Sequence, residues 1–222
     1  MDVGVLIAVV LLTGLCTAVG VGPILRRLPE PVDADHTKTD YRDLASTQFS
    51  LACAALSMLG AVIMVVNLPE SSWPAWTVLN TCGVLLVAID ARTTWLPLRL
   101  TQAAWCLAVV AAAIGATMTA DPASLLRTVT GAASAGGLYF LGWLITRGGF
   151  GFGDVRFAPL LGAAAAGPSW TLLLWTLVLG TLVGGVHGLA RLVRRRSGGF
   201  AYAPSMLAGA YVAAALLPHL TP

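Results

Sequence analysis

Two acidic side chains stand where acids are costly. Asp90 closes an apolar run in Val87-Ala88-Ile89-Asp90-Ala91-Arg92, and Asp154 opens another after Gly151-Phe152-Gly153. Ionisable groups at membrane depth are expensive, so each is a functional hypothesis by default. The other acids fall elsewhere: Asp2, Glu70 and Asp121 near the opposite ends of apolar runs, and Glu30, Asp33, Asp35, Asp40 and Asp43 in one polar stretch. Brought together, two carboxylates have a clear use. Like charges side by side cannot both ionise cheaply, so the pair shares one proton. One member then takes a proton from water while the other gives one to a carbonyl under attack. That is peptide-bond hydrolysis without metal or nucleophilic side chain.

The elements that must position these acids follow from composition. Of 222 residues, 57% are apolar and 10% are charged, against about 25% charged in a soluble domain. The apolar residues come in long runs, the pattern of bilayer-spanning helices. The expected fold is an all-α polytopic helical bundle of about eight segments: Val3–Gly22, Gln48–Leu68, Ala75–Asp90, Leu100–Thr119, Ala123–Thr146, Asp154–Gly167, Trp170–Arg191 and Ala203–His219. The sixth is short for a hydrocarbon core of ~30 Å. Two N-terminal spans with a loop over 26–47 are expected in 1–74, and a six-segment core in 75–222. Met1 is followed by Asp2 rather than a basic stretch, so the first run reads as a retained span with its N-terminus outside.

The positive-inside rule tests this count. With both termini outside and eight crossings, Arg26, Arg27, Lys38, Arg42, Arg92, Arg99, Arg147, Arg156, Arg191, Arg194, Arg195 and Arg196 fall inside. Only Arg127, of 13 basic residues, falls outside. A wrong count would scramble this asymmetry, and the short sixth segment must cross for it to hold. The same topology puts Asp90 and Asp154 at one edge of the bilayer, where they can pair. Asp90 lies near the C-terminal end of its helix and Asp154 near the start of its own, so the helix dipoles assign the base to Asp154 and the acid to Asp90. Such a pair titrates as a unit.

The glycines at Gly148, Gly149, Gly151 and Gly153 permit close backbone approach, and a turn there could take an extended substrate strand. The plain reading of the same residues is a turn between spans, with Asp154 as a helix N-cap; for Asp90 it is an acid paired with Arg92 or Arg99. Cys16, Cys53, Cys82 and Cys106 read as small buried hydrophobes, without zinc or disulfides. The polar stretch 26–47 reads as a solvated loop, and its Asp33, Asp35 and His36 show no ligand spacing. Trp73 and Trp76 sit in a segment suited to an interface. His187 reads as a histidine hydrogen-bonded to a neighbouring helix, and Gly180, Gly184 and Gly188 as a close-packing face within the monomer. No basic stripe with interleaved aromatics points to nucleic acid.

At the two acids the sequence resembles the prepilin peptidases, or type IV leader peptidases, which stand with presenilin-type enzymes among the Gly-x-Gly-Asp aspartyl proteases. Their first motif, Asp-x-Arg-Thr-x-x-Ile-Pro, is met by Asp90, Arg92, Thr93 and Pro97, with Leu96 for isoleucine. Their second, Gly-x-Gly-Asp-Val-Lys, is met by Gly151, Gly153, Asp154 and Val155, with Arg156 for lysine. A late Phe-x-x-x-Pro is matched by Phe200 and Pro204, and the likeness runs from Ala75 onward.

The resemblance implies that Asp90 and Asp154 are catalytic, with Gly151, Gly153, Arg156, Arg92 and Pro97 as substrate-binding or supporting residues. It implies cleavage of prepilin-like membrane precursors just before their apolar helix, at the cytoplasmic face of the inner membrane. Bifunctional members carry cysteine pairs in an N-terminal insert linked to N-methylation. Those pairs are missing here, so no methyltransferase activity, metal or cofactor is expected. Arg156 for lysine keeps the charge and changes its hydrogen-bonding geometry. Two other readings stay open: a presenilin-like general intramembrane protease, and a non-catalytic component or ion-coupled transporter. Transporters place such acids near mid-membrane, whereas these lie near its edge.

Overall fold

The apolar runs fold as helices of one bundle, in which a computed structural model describes residues 3–30, 39–120, 122–147, 151–194 and 200–218, with the backbone of 219 and 220. Among these residues there are eight continuous helices and no strand: α1 Val3–Arg27, α2 Thr47–Asn67, α3 Glu70–Thr93, α4 Leu98–Thr119, α5 Pro122–Ile145, α6 Phe152–Ala166, α7 Trp170–Val193 and α8 Ala203–Leu220. Six of them, α1 to α5 and α7, are long and apolar enough to cross a bilayer. The chain is a multi-pass, all-α membrane protein, and the helices follow the eight predicted segments.

Local chemistry explains the ends. Ser46 and Ser169 cap α2 and α7, their hydroxyls accepting from the backbone N–H of Phe49 (3.2 Å) and Leu172 (3.1 Å). Pro69 precedes α3 and Pro97 precedes α4, where a missing N–H costs nothing. Helix α3 is not uniform: a 3-10 turn over Glu70–Ser72 leads into an α-helix, a π turn follows over Leu79–Gly83, and a second α-helix runs to Thr93. It begins earlier than the apolar run suggested, because Pro69 and the 3-10 turn extend it.

Small residues set the closest contacts. A side chain at Gly131 of α5 would strike Ala166 and, at 2.8 Å, the carbonyl of Gly162 on α6; one at Gly162 would strike the carbonyl of Gly131. Helices α7 and α8 meet similarly, where a side chain at Gly209 would strike the backbone of Gly180. Gly184 makes room for the Tyr202 ring, whereas Gly188 faces open space, so only part of the predicted glycine face packs within the monomer. Helices α1 and α2 pair through Thr17, whose hydroxyl donates to Ser57 Oγ (3.1 Å), beside Gly14, which admits Met58.

Helix α6 spans only about 22 Å, yet 11 of its 15 residues are buried. It lies inside the bundle with protein around it, so it need not match the lipid thickness.

Several expectations are corrected. Trp76 is no interfacial anchor: it is 0% exposed, and its indole N–H donates to the Ala164 carbonyl (2.8 Å). The loop before α2 is not wholly solvated. Tyr41 and Leu44 are buried, and Glu30 accepts from the backbone N–H of Tyr41 (3.0 Å) and Arg42 (3.3 Å). Burial and the Glu30 charge push the Tyr41 phenol up to about 12, so it stays neutral at physiological pH. Only Cys53 is buried; Cys16 and Cys106 face outward, because a lipid-facing surface accepts small hydrophobes as readily as a core does. The His187 ring finds an aromatic partner, meeting Phe200 edge-on at 4.9 Å. Asp2, Asp33, Asp35, His36, Lys38, Asp121, Gly148, Gly149, Arg195, Arg196 and the His219 side chain lie outside the described residues.

Candidate active site

Asp90 lies in the last turn of α3. The helix stops because Thr94 adopts a left-handed conformation (φ 57°, ψ 26°) while its N–H donates to the Asp90 carbonyl (2.7 Å). A β-branched residue is strained there. Thr93 stitches the turn: its hydroxyl donates to the Ile89 carbonyl (2.9 Å) and accepts from Trp95 N–H (3.2 Å). Pro97, buried, then starts α4.

Asp154 stands in the first turn of α6. Gly151, not Asp154, is the N-cap, and the Asp154 N–H donates to its carbonyl (3.1 Å). The two glycines have different work. A Cβ at Gly153 would lie 3.0 Å from Leu96 Cδ1 and 3.1 Å from Leu96 Cβ, so Gly153 lets α6 press against the turn that follows Asp90. A Cβ at Gly151 would make only ordinary contact, 3.5 Å from Asp154 Oδ2. The two sequence motifs thus touch through Leu96 and Gly153.

Both carboxylates line one cavity of about 230 Å³, together with the Thr94–Leu96 turn, Gly151, Phe152, Gly153, Arg156 and Phe200. Each aspartate is 4% exposed. The Ala203 N–H, at the start of α8, donates to Asp90 Oδ2 (3.3 Å). Asp154 Oδ1 is buried without a protein hydrogen-bond partner. Asp90 therefore bonds an amide rather than Arg92 or Arg99, both of which are exposed.

Of the residues singled out from sequence, Asp90, Asp154, Gly151, Gly153 and Arg156 line this cavity, while Arg92 and Pro97 do not. The Arg156 guanidinium lies over the Phe152 ring (4.8 Å), and its carbonyl accepts from the Trp105 indole (3.0 Å). Sequence reasoning missed Thr94, Trp95, Phe152 and the Ala203 amide. The last had an indirect signal: Pro204, second in α8, marks a helix start, and helix starts leave orphan N–H donors.

Fold and cavity together define a polytopic membrane protein with a buried carboxylate pair at one end of its bundle. The family model for the type IV leader peptidase family matches residues 77–189, more than half the chain and both aspartates. The chain belongs to the type IV leader peptidase family, a family of membrane peptidases. Neither a comparison with curated proteins nor one with solved structures finds a match.

Proposed function

We propose that this membrane peptidase is an aspartic endopeptidase in which Asp90 and Asp154 activate water. The shared cavity is the observation that carries the reading: two like carboxylates, each 4% exposed, face one space from opposite helix ends. The pair holds one proton between them. One carboxylate removes a proton from water as it attacks the scissile carbonyl; the other protonates the oxygen that develops charge. Helix ends assign the base to Asp154 and the acid to Asp90. The Ala203 amide pulls the other way, since it donates to Asp90 Oδ2. Moving a charge near either helix end and comparing pH–rate profiles tests the assignment; unchanged profiles would remove it.

The substrate is a prepilin-like precursor, cut beside its apolar helix at the cytoplasmic face of the inner membrane, in service of a pilus or secretion system. Gly151, Gly153 and Arg156 stand at the wall of the same cavity, beside Asp154. The product keeps an unmodified amine, since the chain lacks the cysteine pairs of bifunctional members; mass spectrometry of product made with S-adenosylmethionine present checks this. The deciding experiment is cleavage of a prepilin-like precursor in membranes by wild type, Asp90→Asn and Asp154→Asn. Loss in both variants at normal insertion supports the pair, and normal cleavage by either removes it.

A further inference from the structure

Asp90 is held at the end of α3, but the feature that aims it lies well up the same helix. The π turn over Leu79–Gly83 accommodates one residue more than an α turn, which rotates everything beyond it by roughly 100°. Inside that turn sits Asn80, 0% exposed. Its Oδ1 accepts from the Tyr211 hydroxyl of α8 (2.9 Å). Among the described residues its amide nitrogen has only the Met64 sulfur, at 3.9 Å, a weak acceptor. Room for the bond comes from Gly60 on α2, where any Cβ would strike both Asn80 Oδ1 and the Tyr211 hydroxyl.

A half-satisfied amide is a costly choice in an apolar bundle. A single buried asparagine that fixes helix register is the best-attested use of such a group. Neighbouring contacts fit that use. Trp76 stacks on Tyr211 (centroids 6.5 Å apart, planes at 26°) and donates to the Ala164 carbonyl on α6. One layer of contacts therefore ties α3 to α8 and α6 in mid-bundle. A second layer, Asp90 bonded to the Ala203 amide and sharing its cavity with Asp154, joins the same three helices about 15 Å away along α3. Two attachment points fix both sliding and rotation, whereas one would let α3 turn about it.

We infer that the π turn of α3, pinned by the Asn80–Tyr211 bond, is a positioning device that sets the rotation and depth of Asp90 against Asp154 and Ala203. Neither Asn80 nor Tyr211 lines the carboxylate cavity; they act through the helix. The inference rests on the aspartic reading above, so Asp154→Asn is the reference variant.

Tyr211→Phe removes the hydroxyl and keeps the ring on Trp76. Asn80→Leu combined with Tyr211→Phe replaces both partners by apolar groups, an exchange that can leave stability nearly unchanged. Assayed in membranes on a precursor with a leader, a scissile bond and an apolar helix, both variants should lose about tenfold in kcat at unchanged KM. The double variant should keep a wild-type melting temperature. A second readout needs no turnover: oxidative cross-linking of Asp90→Cys to Asp154→Cys, with the four native cysteines replaced, should fall in yield when Tyr211→Phe is added. Wild-type kcat in the double variant, or an undiminished cross-link in Tyr211→Phe, overturns the inference. An active Asp154→Asn overturns the aspartic reading beneath it instead.

Discussion

Helices α5 and α6 pack against each other through Gly131 and Gly162, yet they solve opposite problems. Helix α5 runs 24 residues and buries only Thr128, Gly131, Ala135 and Tyr139, a single stripe at helical spacing. Lipid is the solvent for the rest of it. Helix α6 runs 15 residues and buries 11 of them, so it meets protein on nearly every side. The outer helix must match the bilayer in length and apolarity; the inner one must match its neighbours in shape. That freedom lets α6 be short, alanine-rich and started by an acid. A carboxylate on the lipid-facing side of α5 would have no comparable shelter.

The contrast can be broken most sharply at its charged end. Asp154→Asn, like Asp90→Asn, should cut precursor cleavage by about 10³-fold while insertion levels hold. Next comes the seam. Gly162→Leu forces a side chain into the Gly131 carbonyl and should cost about 3 kcal/mol of stability, read by thermal denaturation in detergent. Gly153→Ala pushes Leu96 and shifts α6 against the Asp90 turn, so kcat should fall about tenfold. Gly151→Ala, whose Cβ meets only ordinary contact, should stay within about twofold of wild type, and equal losses in the two would remove the distinction between them. Thr94→Gly relieves a left-handed residue and should raise stability by about 1 kcal/mol. Smallest is Leu126→Ala on the lipid face of α5, within about 0.5 kcal/mol; a larger loss would show that this face is covered by protein.

What the sequence revealed follows the same division. Lipid-facing helices write long apolar runs, so α2, α4, α5 and α7 were legible to within two residues of their ends, while α1 runs five residues past its expected end, through Pro23 to Arg27. Asp90 and Asp154 stood out because charge at membrane depth is scarce, and arginine counting put them on one side before any motif was considered. The inner features left weaker traces. Trp76 looks like an interfacial tryptophan until Ala164 supplies a buried acceptor. The π turn has no composition of its own, and Asn80 reads as one polar residue in an apolar run until Tyr211 arrives from far along the chain. The Ala203 donor is a backbone N–H, which every residue but proline carries.

That amide also places the protein in time. Its acceptor, Asp90, lies 113 residues earlier in the chain. At translation speeds of about 5–20 residues per second, roughly ten seconds separate the two. Four further helices enter the membrane in that interval before α8 follows. A ribosome-bound chain halted before α8 thus carries both aspartates without the backbone donor to Asp90. The contact between Asp90 and its amide partner therefore forms only after α8, the last of the described helices, has been made.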